Sequence, residues 1–288
     1  MVKDSKEEFG MTVAVIGLGL IGGSFCRTLK QRTDHTVLGL DTDEETIRLA
    51  LESGAIDRAI TSQELSDADL TIICLYPNQT ISFLQEHAAA FQPGSIVIDC
   101  CGVKSSVVEP AEQALAPYGV RFVGAHPMAG REFSGFAYST PTLFDRASLV
   151  ITEGRQTDHA AVEAVQELAQ SLGFQQIVVT TPQRHDQIIA FTSQLAHVVS
   201  NAYMKSPTAQ YERGFTGGSF QDLTRVAMLN DKMWAELFSL NKDPLLYEID
   251  TIIHHLSEYR DALEQQDMPR LRQLLFEGSE LKKRDLKR

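Results

Sequence analysis

Short apolar runs alternate with amphipathic stretches through roughly the first two thirds of the chain. The apolar runs are nearly continuous, which is typical of strands buried on both faces, and the stretches between them have helical periodicity. Repeated strand, helix and strand predict a mostly parallel sheet with helices on both sides, an α/β fold. The predicted strands are residues 11–16, 36–40, 70–75, 95–99, 121–125, 148–152 and 176–180, and the predicted helices are 21–31, 44–53, 80–91, 105–116 and 158–172.

After the last predicted strand the pattern changes to helices alone. Thr181 followed by Pro182 predicts a helix start, because threonine caps the first amide groups and proline suits the first helical position. The same signal recurs at Asp243, and Asp267 is the predicted cap of the last helix. We expect a dinucleotide-binding α/β domain over residues 1–181 and an all-helical domain over 182–288, with helices at 182–202, 220–229, 232–240, 244–266 and 268–287.

Charge and hydropathy exclude several classes of protein. The formal net charge is −12, whereas nucleic acids and anionic membranes require clustered Lys and Arg. The polar start is unlike a signal peptide, and we find no run of about 18 apolar residues that could span a membrane. The four cysteines lack the spacing of a metal site. We therefore expect no metal, and a reduced, cytoplasmic setting is the simplest interpretation.

Residues 12–24 read TVAVIGLGLIGGS and place the spacing G-x-G-x-x-G between a predicted strand and a predicted helix. Gly17 permits the tight turn, Gly19 lets a pyrophosphate approach the backbone, and Gly22 lets the helix pack on the strand. The start of the helix then offers amide groups and a partial positive charge to phosphate.

Asp41 directly follows the second predicted strand, at about the distance from the glycines where dinucleotide sites carry an acid. A carboxylate there accepts hydrogen bonds from the ribose hydroxyls and repels a 2′-phosphate, which favours NAD over NADP. The alternative is a glycine turn in a nucleotide-free protein, with Asp41 as a solvated loop acid. The predicted NAD site consists of Gly17, Leu18, Gly19, Leu20, Ile21, Gly22 and Asp41.

The segment VGAHPMAG, residues 123–130, carries a histidine directly after a predicted strand. Ligands of open α/β sheets bind beyond the carboxyl ends of the strands, so His126 is expected to face the cofactor crevice. An imidazole is suited to removing a hydroxyl proton near neutral pH. The competing interpretation is a histidine that only caps a loop.

Three polar residues, His185, Ser193 and His197, interrupt the first helix of the second half. Ser193 and His197 are four apart and share one face. Any one of them alone would more often be a satisfied core residue. Three on a helix at the boundary between two domains favour the lining of a cleft.

Asp222 and Arg225 are three apart on a later predicted helix. Arg225 could bind a substrate carboxylate bidentately, with Asp222 orienting it. Alternatively, the two form an ordinary exposed ion pair.

Several short motifs occur in a fixed order along the chain. They are GLGLIGGS, D-x-x-x-V-K at 99–104, AHPMAG at 125–130, HD at 185–186 followed by SQLAH, F-x-D-x-x-R at 220–225 and MW at 233–234. This set resembles the prephenate dehydrogenase family, which includes arogenate and cyclohexadienyl dehydrogenases, over nearly the whole chain. The resemblance implies a Rossmann-like domain, a helical domain that forms a homodimer, and NAD-dependent oxidative decarboxylation of prephenate, or of arogenate, on the route to tyrosine.

The resemblance also implies roles for individual residues, position by position. The catalytic residues are then His126, as the base at the substrate's 4-hydroxyl group, together with His197 and Ser193. The substrate-binding residues are Arg225 on a carboxylate, His185 near the side chain, Gly218 in a loop that can reach the partner subunit's site, and Asp222.

Two departures from the family pattern stand out. Many relatives carry serine where this chain has Gly102, so a hydroxyl contact to the substrate is missing or replaced. Many have arginine where this chain has Gln221, so one cationic contact is absent. The chain also ends near its last predicted helix, and we expect no dedicated effector domain.

Two other functions compete with this one. A β-hydroxyacid-type dehydrogenase shares this domain order, but such enzymes usually use a lysine on the first helix of the second domain, where this chain has histidines and no lysine before Lys205. A non-catalytic NAD-sensing protein would bind the nucleotide without turnover. A sensor needs no base beside the nicotinamide, so the set of His126, His197 and Arg225 favours an enzyme.

Overall fold

The structure is a computed structural model that describes residues 10–131 and 133–286. Within these ranges the first part of the chain alternates strands with helices, as the sequence predicts. The strands are β1 (Thr12–Ile16), β2 (Thr36–Leu40), β3 (Arg58–Ala59), β4 (Leu70–Ile73), β5 (Ile96–Asp99), β6 (Arg121–Pro127), β7 (Ser148–Thr152) and β8 (Gln176–Thr180). The helices are α1 (Leu20–Arg32), α2 (Glu44–Glu52), α3 (Pro77–His87), α4 (Val108–Leu115) and α5 (His159–Ser171).

All eight strands form one sheet in the order β3-β2-β1-β4-β5-β6-β7-β8. Every neighbouring pair is parallel except β6 and β7, which are antiparallel, so the predicted mostly parallel sheet is confirmed. Ile16 of β1 lies opposite Leu40 of β2 and Ile73 of β4. The carboxyl ends of the central strands therefore share one edge, where ligands of such folds bind.

Successive residues of the strands pack on opposite faces of the sheet. Val13 and Val15 belong to one buried cluster with residues of α1 and α5, and Ala14 and Ile16 belong to another with residues of α3 and α4. Burial on both faces accounts for the near-continuous apolar strands.

The remainder of the chain is helical. It consists of α6 (Pro182–Ile189), a π-helical turn (Ala190–Leu195), α7 (Ala196–Tyr203), α8 (Gly218–Thr224), α9 (Asp231–Leu240), α10 (Lys242–Glu264) and α11 (Met268–Asp285). The predicted helix 182–202 is thus present but contains a π-helical turn, a feature that often occurs at functional sites. Among the described residues, no helix has both the length and the apolarity needed to cross a bilayer.

Two of the three predicted caps are confirmed. The side chain of Thr181 accepts a hydrogen bond from the amide of Arg184, and that of Asp267 accepts one from the amide of Arg270. The prediction for Asp243 is wrong, because α10 begins at Lys242 and Asn241 precedes it.

Element boundaries differ where distant contacts decide them. The helix predicted from residue 105 begins only at Val108, since the amides of Lys104 and Ser105 bind a carboxylate far along the chain. Helix α8 ends at Thr224, short of the predicted residue 229, and β3 is too short to have been predicted from periodicity. Residue 287, the predicted end of the last helix, lies outside the described residues. The domain boundary between residues 181 and 182 stays a prediction.

Candidate active site

Two glycines of the turn between β1 and α1 occupy positions where a side chain would clash. Gly17 has a φ of +83°, and a Cβ there would lie 2.7 Å from the carbonyl oxygen of Cys74. A Cβ on Gly22 would lie 1.9 Å from the carbonyl oxygen of Gly17. Both distances are shorter than nonbonded atoms tolerate, so the turn is tight and α1 packs directly on it.

Gly19, which directly precedes α1, is accessible instead. Apart from Gly19 itself and its two chain neighbours, no atom of residues 10–131 and 133–286 lies within 4 Å of the point that its Cβ would occupy, and no side chain caps the helix. The first turn, which begins with Leu20 and Ile21, carries no acidic residue. Amide groups with partial positive charge and an approachable backbone fit a pyrophosphate.

Asp41 lies beside this turn. Its Oδ2 accepts a hydrogen bond from the amide of Leu18 at 2.7 Å, and its Oδ1 accepts one from the amide of Asp43 at 3.0 Å. Each carboxylate oxygen can accept a further bond, so ribose hydroxyls could share the group. The Leu18 side chain is fully buried and its amide is bound to Asp41, so Leu18 supports the turn from inside the protein.

His126 lies in β6, opposite Val150 of β7. The sequence suggested that the histidine follows the strand. The strand continues to Pro127, however, so His126 is part of its carboxyl end. The pairing of β6 with β5 ends earlier, at Val123 opposite Ile98. His126 therefore lies at the carboxyl end of β6, beyond the end of the neighbouring strand, and is half-buried.

A chain of three side chains runs inward from His126. His126 Nδ1 lies 2.9 Å from His185 Nε2, and His185 Nδ1 lies 2.8 Å from Asp186 Oδ1. His185 and Asp186 are buried. The two carboxylate oxygens of Asp186 also accept hydrogen bonds from the amides of Lys104 and Ser105, each at 2.8 Å. Since Asp186 lies on α6, these bonds join the helical half to the turn before α4.

The carboxylate of Asp186 determines which ring nitrogens carry protons. It can only accept, so His185 Nδ1 donates to it and the Nε2 of neutral His185 is an acceptor. His126 Nδ1 must then donate to His185, which leaves the lone pair on His126 Nε2. His126 thus presents a basic nitrogen on the side away from His185. Both nitrogens of His185 are bound within the protein, so His185 orients His126, and its contact with a substrate stays a prediction.

Burial keeps both histidines neutral. It lowers the pKa of His126 well below the usual value, and the neighbouring His185 and Lys104 lower it further. Burial also lowers the pKa of His185, although the hydrogen bond to Asp186 opposes this effect. Burial by itself would raise the pKa of Asp186, but the hydrogen bonds from His185 and Ser105 outweigh it and the pKa is lowered. Near neutral pH these three hydrogen-bonded side chains are therefore one carboxylate and two neutral imidazoles.

A buried ion pair adjoins the strand end that carries His126. Asp99, the last residue of β5, and Lys104 are both fully buried, and Lys104 Nζ donates to Asp99 Oδ2. Lys104 Nζ also donates to the carbonyl oxygen of Ala125, while the amide of Ala125 donates to Asp99 Oδ1 at 3.1 Å. Both backbone groups of the residue before His126 are bound by this pair.

Sequence reasoning missed the roles of Asp186, Asp99 and Lys104, although all three lie in the motifs that carry the resemblance. A signal was present in their context. Charged residues are rarely buried unless they are paired, so a charge that adjoins a buried strand or lies in an apolar helix indicates a partner elsewhere in the chain.

His197, on α7, has different surroundings. Its Nδ1 lies 3.1 Å from the carbonyl oxygen of Val226, the residue after Arg225, and its ring centroid lies 4.0 Å from that of Trp234. A carbonyl can only accept, so Nδ1 donates and the Nε2 of the neutral ring carries the lone pair. Burial lowers the pKa of His197, and the hydrogen bond to Val226 opposes this effect while the charge of Arg225 adds to it.

Helix α9 lies beside His197 and beside Gly102. Trp234, which contacts His197, and Leu237 are three residues apart and share one face of α9. A Cβ on Gly102 would lie 3.5 Å from Leu237 Cδ2 and 3.8 Å from His126 Nε2. The same face of α9 therefore approaches the surroundings of both His126 and His197.

The other candidate residues lie in the helical half of the chain. Ser193 is half-buried in the π-helical turn, and Arg225 is exposed immediately after α8. Asp222 and Gly218 lie exposed on α8, with Gly218 at its first residue. The substrate contacts of these four residues stay predictions, as does the pairing of Asp222 with Arg225.

Two family models match the chain. Residues 25–179 match the nucleotide-binding domain of prephenate dehydrogenase, and residues 181–277 match the dimerization domain of prephenate dehydrogenase. The two matches meet at the junction between β8 and α6.

Individual relatives agree with these models. The prephenate dehydrogenase of Bacillus subtilis (strain 168) is 32% identical over 270 residues, which cover 90% of this chain and 72% of that protein. The crystal structure of Synechocystis arogenate dehydrogenase superposes with a TM-score of 0.81 at 27% identity, covering 95% of this chain and 99% of that one. The prephenate dehydrogenase of A. aeolicus, solved with hydroxyphenyl propionate and NAD+, superposes with a TM-score of 0.86 at 25% identity, covering 98% and 100% of the two chains.

Proposed function

The chain belongs to the prephenate dehydrogenase family, and on that premise we propose that it converts prephenate and NAD to 4-hydroxyphenylpyruvate, carbon dioxide and NADH. The observation that carries the proposal is the chain of Asp186, His185 and His126, which ends in a neutral basic nitrogen at the crevice. The related enzymes are named for prephenate, arogenate or cyclohexadienyl substrates, so the choice among these substrates is the finer part of the proposal.

The cofactor is NAD, and the turn between β1 and α1 fits it. Its pyrophosphate would lie at Gly19 and the start of α1, where the backbone is accessible, and its adenosine ribose at Asp41. The carboxylate of Asp41 would repel a 2′-phosphate, which favours NAD over NADP. When bound, NAD supplies an acceptor for the hydride that leaves C4 of the substrate ring.

His126 is the proposed base. Its Nε2 takes the proton of the 4-hydroxyl group while C4 gives up its hydride and the C4–O double bond forms. The electrons of the bond to the ring carboxylate then enter the ring as carbon dioxide leaves, the ring becomes aromatic, and the proton returns from His126 to the phenolate oxygen. Atoms and charges balance with one NAD reduced for each substrate.

His185 and Asp186 stabilise the charge that appears on His126 during this step. The protonated ring of His126 keeps its donated hydrogen bond to His185, and His185 keeps its own to the carboxylate of Asp186. A negative charge at the far end of the chain favours the imidazolium, and the fixed tautomers avoid reorganisation.

The substrate is proposed to lie between His126 and the segment around His197. Arg225 would bind one carboxylate, since its planar guanidinium can donate two parallel hydrogen bonds. His197 and Ser193 would contact the side chain of the substrate, with Gly218 and Asp222 close by. One well-placed arginine can bind a dianion despite the net charge of −12.

Arogenate is the second candidate substrate, and the state of His197 favours it. With Nδ1 donating to Val226, the neutral ring offers only an acceptor at Nε2. An acceptor suits the ammonium group of arogenate, whereas the keto group of prephenate would need a donor.

We further propose a homodimer formed through the helical half. The match to a dimerization domain supports it, as do apolar side chains on α10 and α11 that are more than half exposed, among them Ile253, Leu256, Leu263 and Phe276. A domain boundary at residues 181 and 182 and a cytoplasmic location complete the proposal.

The test is a turnover assay with the purified protein, NAD and either prephenate or arogenate, followed by the absorbance of the reduced nicotinamide. We expect NADH to form with prephenate, and the ratio of kcat/KM for the two substrates to identify the preferred one. Binding of NAD without NADH formation from either substrate would contradict the proposal and favour the competing functions, a β-hydroxyacid-type dehydrogenase or an NAD-sensing protein.

A further inference from the structure

We propose that the buried pair of Asp99 and Lys104 is a positioning device for His126, which holds the strand end that carries the ring and keeps that ring ready to accept a proton. The inference deepens the proposed function and rests on it, because it concerns the residue assigned as the base. Neither side chain is given a contact with substrate or cofactor.

The end of strand β5 leaves part of β6 without a neighbouring strand. Strand β5 ends at Asp99, and its pairing with β6 ends at Val123, so the next part of β6 has no strand beside it on that side. The side chains of Asp99 and Lys104 bind both the amide and the carbonyl of Ala125 in its place. The direction of the next residue, His126, therefore depends on this pair.

The pair is itself held from both ends. The amide of Cys101 donates to Asp99 Oδ2 at 3.0 Å, which fixes the carboxylate against the loop after β5. The amide of Lys104 donates to Asp186, the residue that also orients His185. The backbone of His126 and the hydrogen bond to its ring are thus set by one connected group of buried charges.

Burial of this pair is energetically costly. Burying an ion pair has a large desolvation penalty, and well-packed apolar residues of similar volume often give a protein at least equal stability. Stability alone therefore does not account for two fully buried charges next to a proposed catalytic base. A requirement for the charge and geometry of the pair accounts for its burial at this place.

Charged and titratable groups lie near His126 on two sides. Lys104 and Asp99 approach from the β5–α4 connection, His185 and Asp186 approach from α6, and α9 presents the apolar Leu237. The positive charge of Lys104 lowers the pKa of His126, and it lowers that of His185 as well. A neutral His126 is the form that can accept the hydroxyl proton.

The test is the double variant Asp99→Asn/Lys104→Met, which removes both charges together so that neither remains unpaired. The carboxamide oxygen introduced at position 99 can still accept the amide of Ala125, but the thioether introduced at position 104 cannot donate to its carbonyl. We expect kcat to fall by about 10- to 100-fold, the scale of a small misplacement of a catalytic group. We also expect the acidic limb of the kcat profile to move to higher pH, because loss of the Lys104 charge raises the pKa of His126.

A control uses the same substitutions at a partly exposed ion pair that joins α1 to the residue before β3. Lys30 Nζ lies 2.7 Å from Asp57 Oδ1, and Asp57 Oδ2 accepts the amide of Val37 in β2. The variant Asp57→Asn/Lys30→Met should keep the wild-type kcat and acidic limb. A lower kcat in Asp99→Asn/Lys104→Met with an unmoved limb would reduce the pair to a structural role and overturn the proposal, as would a kcat equal to wild type.

A second variant, Lys104→Arg, keeps the test decisive if the double variant does not fold. It retains the positive charge but changes the shape of the donor, so kcat should fall while the acidic limb stays at the wild-type pH. A limb that moves despite the retained charge would refute the electrostatic part of the proposal.

Failure of the proposed function can be told apart from failure of this inference. If the wild-type protein forms no NADH with either substrate, the function is wrong. The titration of His126 can still be followed by NMR of labelled histidine, with the resonance assigned by its loss in His126→Asn. The same upward shift of the pKa in Asp99→Asn/Lys104→Met is expected there, and an unchanged titration would refute the inference by itself.

Discussion

His126 and His197 are both half-buried histidines with lowered pKa values, yet their surroundings differ. The Nδ1 of His126 donates to a second imidazole backed by the buried carboxylate of Asp186, whereas the Nδ1 of His197 donates to a single backbone carbonyl. A carboxylate stabilises a positive charge on the ring much better than a carbonyl does. The region around His126 is therefore suited to proton transfer, and the region around His197 to holding a ligand.

The charges nearby point the same way. Beside His126, the charge of Lys104 lowers the pKa of the ring, although Lys104 is paired with the buried Asp99. Beside His197, the nearby charge is that of the exposed Arg225. A cation there opposes protonation of the ring but attracts the carboxylate of a substrate. Substitutions in the first region should alter turnover, and those in the second should alter affinity.

The substitution His126→Asn should have the largest effect, because it removes the proposed base. We expect kcat to fall by roughly 10²- to 10⁴-fold with little change in the affinity for substrate. Steady-state kinetics and a separate measurement of substrate binding check both parts. Unchanged turnover would remove His126 from the mechanism, and the His126 region could then no longer be distinguished from the His197 region by a role in proton transfer.

Arg225→Ala should have the next largest effect, but on affinity. We expect KM to rise by an amount equivalent to about 2–5 kcal/mol of lost binding, since a substrate carboxylate would lose its partner. The measurement is KM with NAD saturating. A fall in kcat at unchanged KM would contradict a binding role for this region.

Asp186→Asn tests the charge that distinguishes the two regions. We expect kcat to fall by about 10- to 100-fold, a smaller loss than the exchange of an orienting carboxylate causes in a catalytic triad. Since Asp186 raises the pKa of His185 and stabilises charge on His126, its loss should move the acidic limb of the kcat profile to lower pH. Thermal unfolding controls for its bonds to the amides of Lys104 and Ser105. A limb that moves to higher pH would contradict the stabilisation of charge on His126 by Asp186.

His197→Asn should act on binding alone. We expect KM to rise roughly tenfold, the worth of about one hydrogen bond, with kcat within about twofold of wild type. Measuring both substrates sharpens the result, because a larger loss with arogenate than with prephenate would support contact between Nε2 and an ammonium group. A large loss of kcat would show that the two histidines share one role.

Gly102→Ser should have the smallest effect. A Cβ at this position makes only ordinary contacts, with the nearest atom 3.5 Å away, so the fold should tolerate it. The added hydroxyl would lie within reach of His126 Nε2 and should change kcat by about two- to fivefold. Complete loss of activity would mean that the space beside Nε2 is needed by the substrate itself.

The α/β half could be predicted well from the sequence because local signals determine it. Strands β2, β7 and β8 have the predicted limits, since each is a short apolar run between clear breaks. The glycine turn is equally local, and Gly17 has the positive φ that its place in the motif implies. Such elements depend on neighbours in sequence, which periodicity and turn chemistry describe.

The active site was harder to predict from the sequence, because it is formed by contacts between residues that are distant along the chain. His126 could be placed at the crevice from the strand that precedes it, but its hydrogen bond to His185 could not be predicted. The late start of α4 and the role of Asp186 have the same cause. The carboxylate of Asp186 binds two amides that lie 81 and 82 residues away along the chain. Asp243 resembled a cap in sequence, but α10 begins before it, at Lys242.

The central claim is that His126 and Arg225 act on one small molecule held between the two halves. A crystal structure with NAD and the phenolic product 4-hydroxyphenylpyruvate tests it most directly. We predict the phenolic oxygen within about 2.6–3.2 Å of His126 Nε2, and the guanidinium of Arg225 on the side-chain carboxylate of the same molecule. A product bound to only one of these two residues, with the other too distant to reach it, would contradict the account.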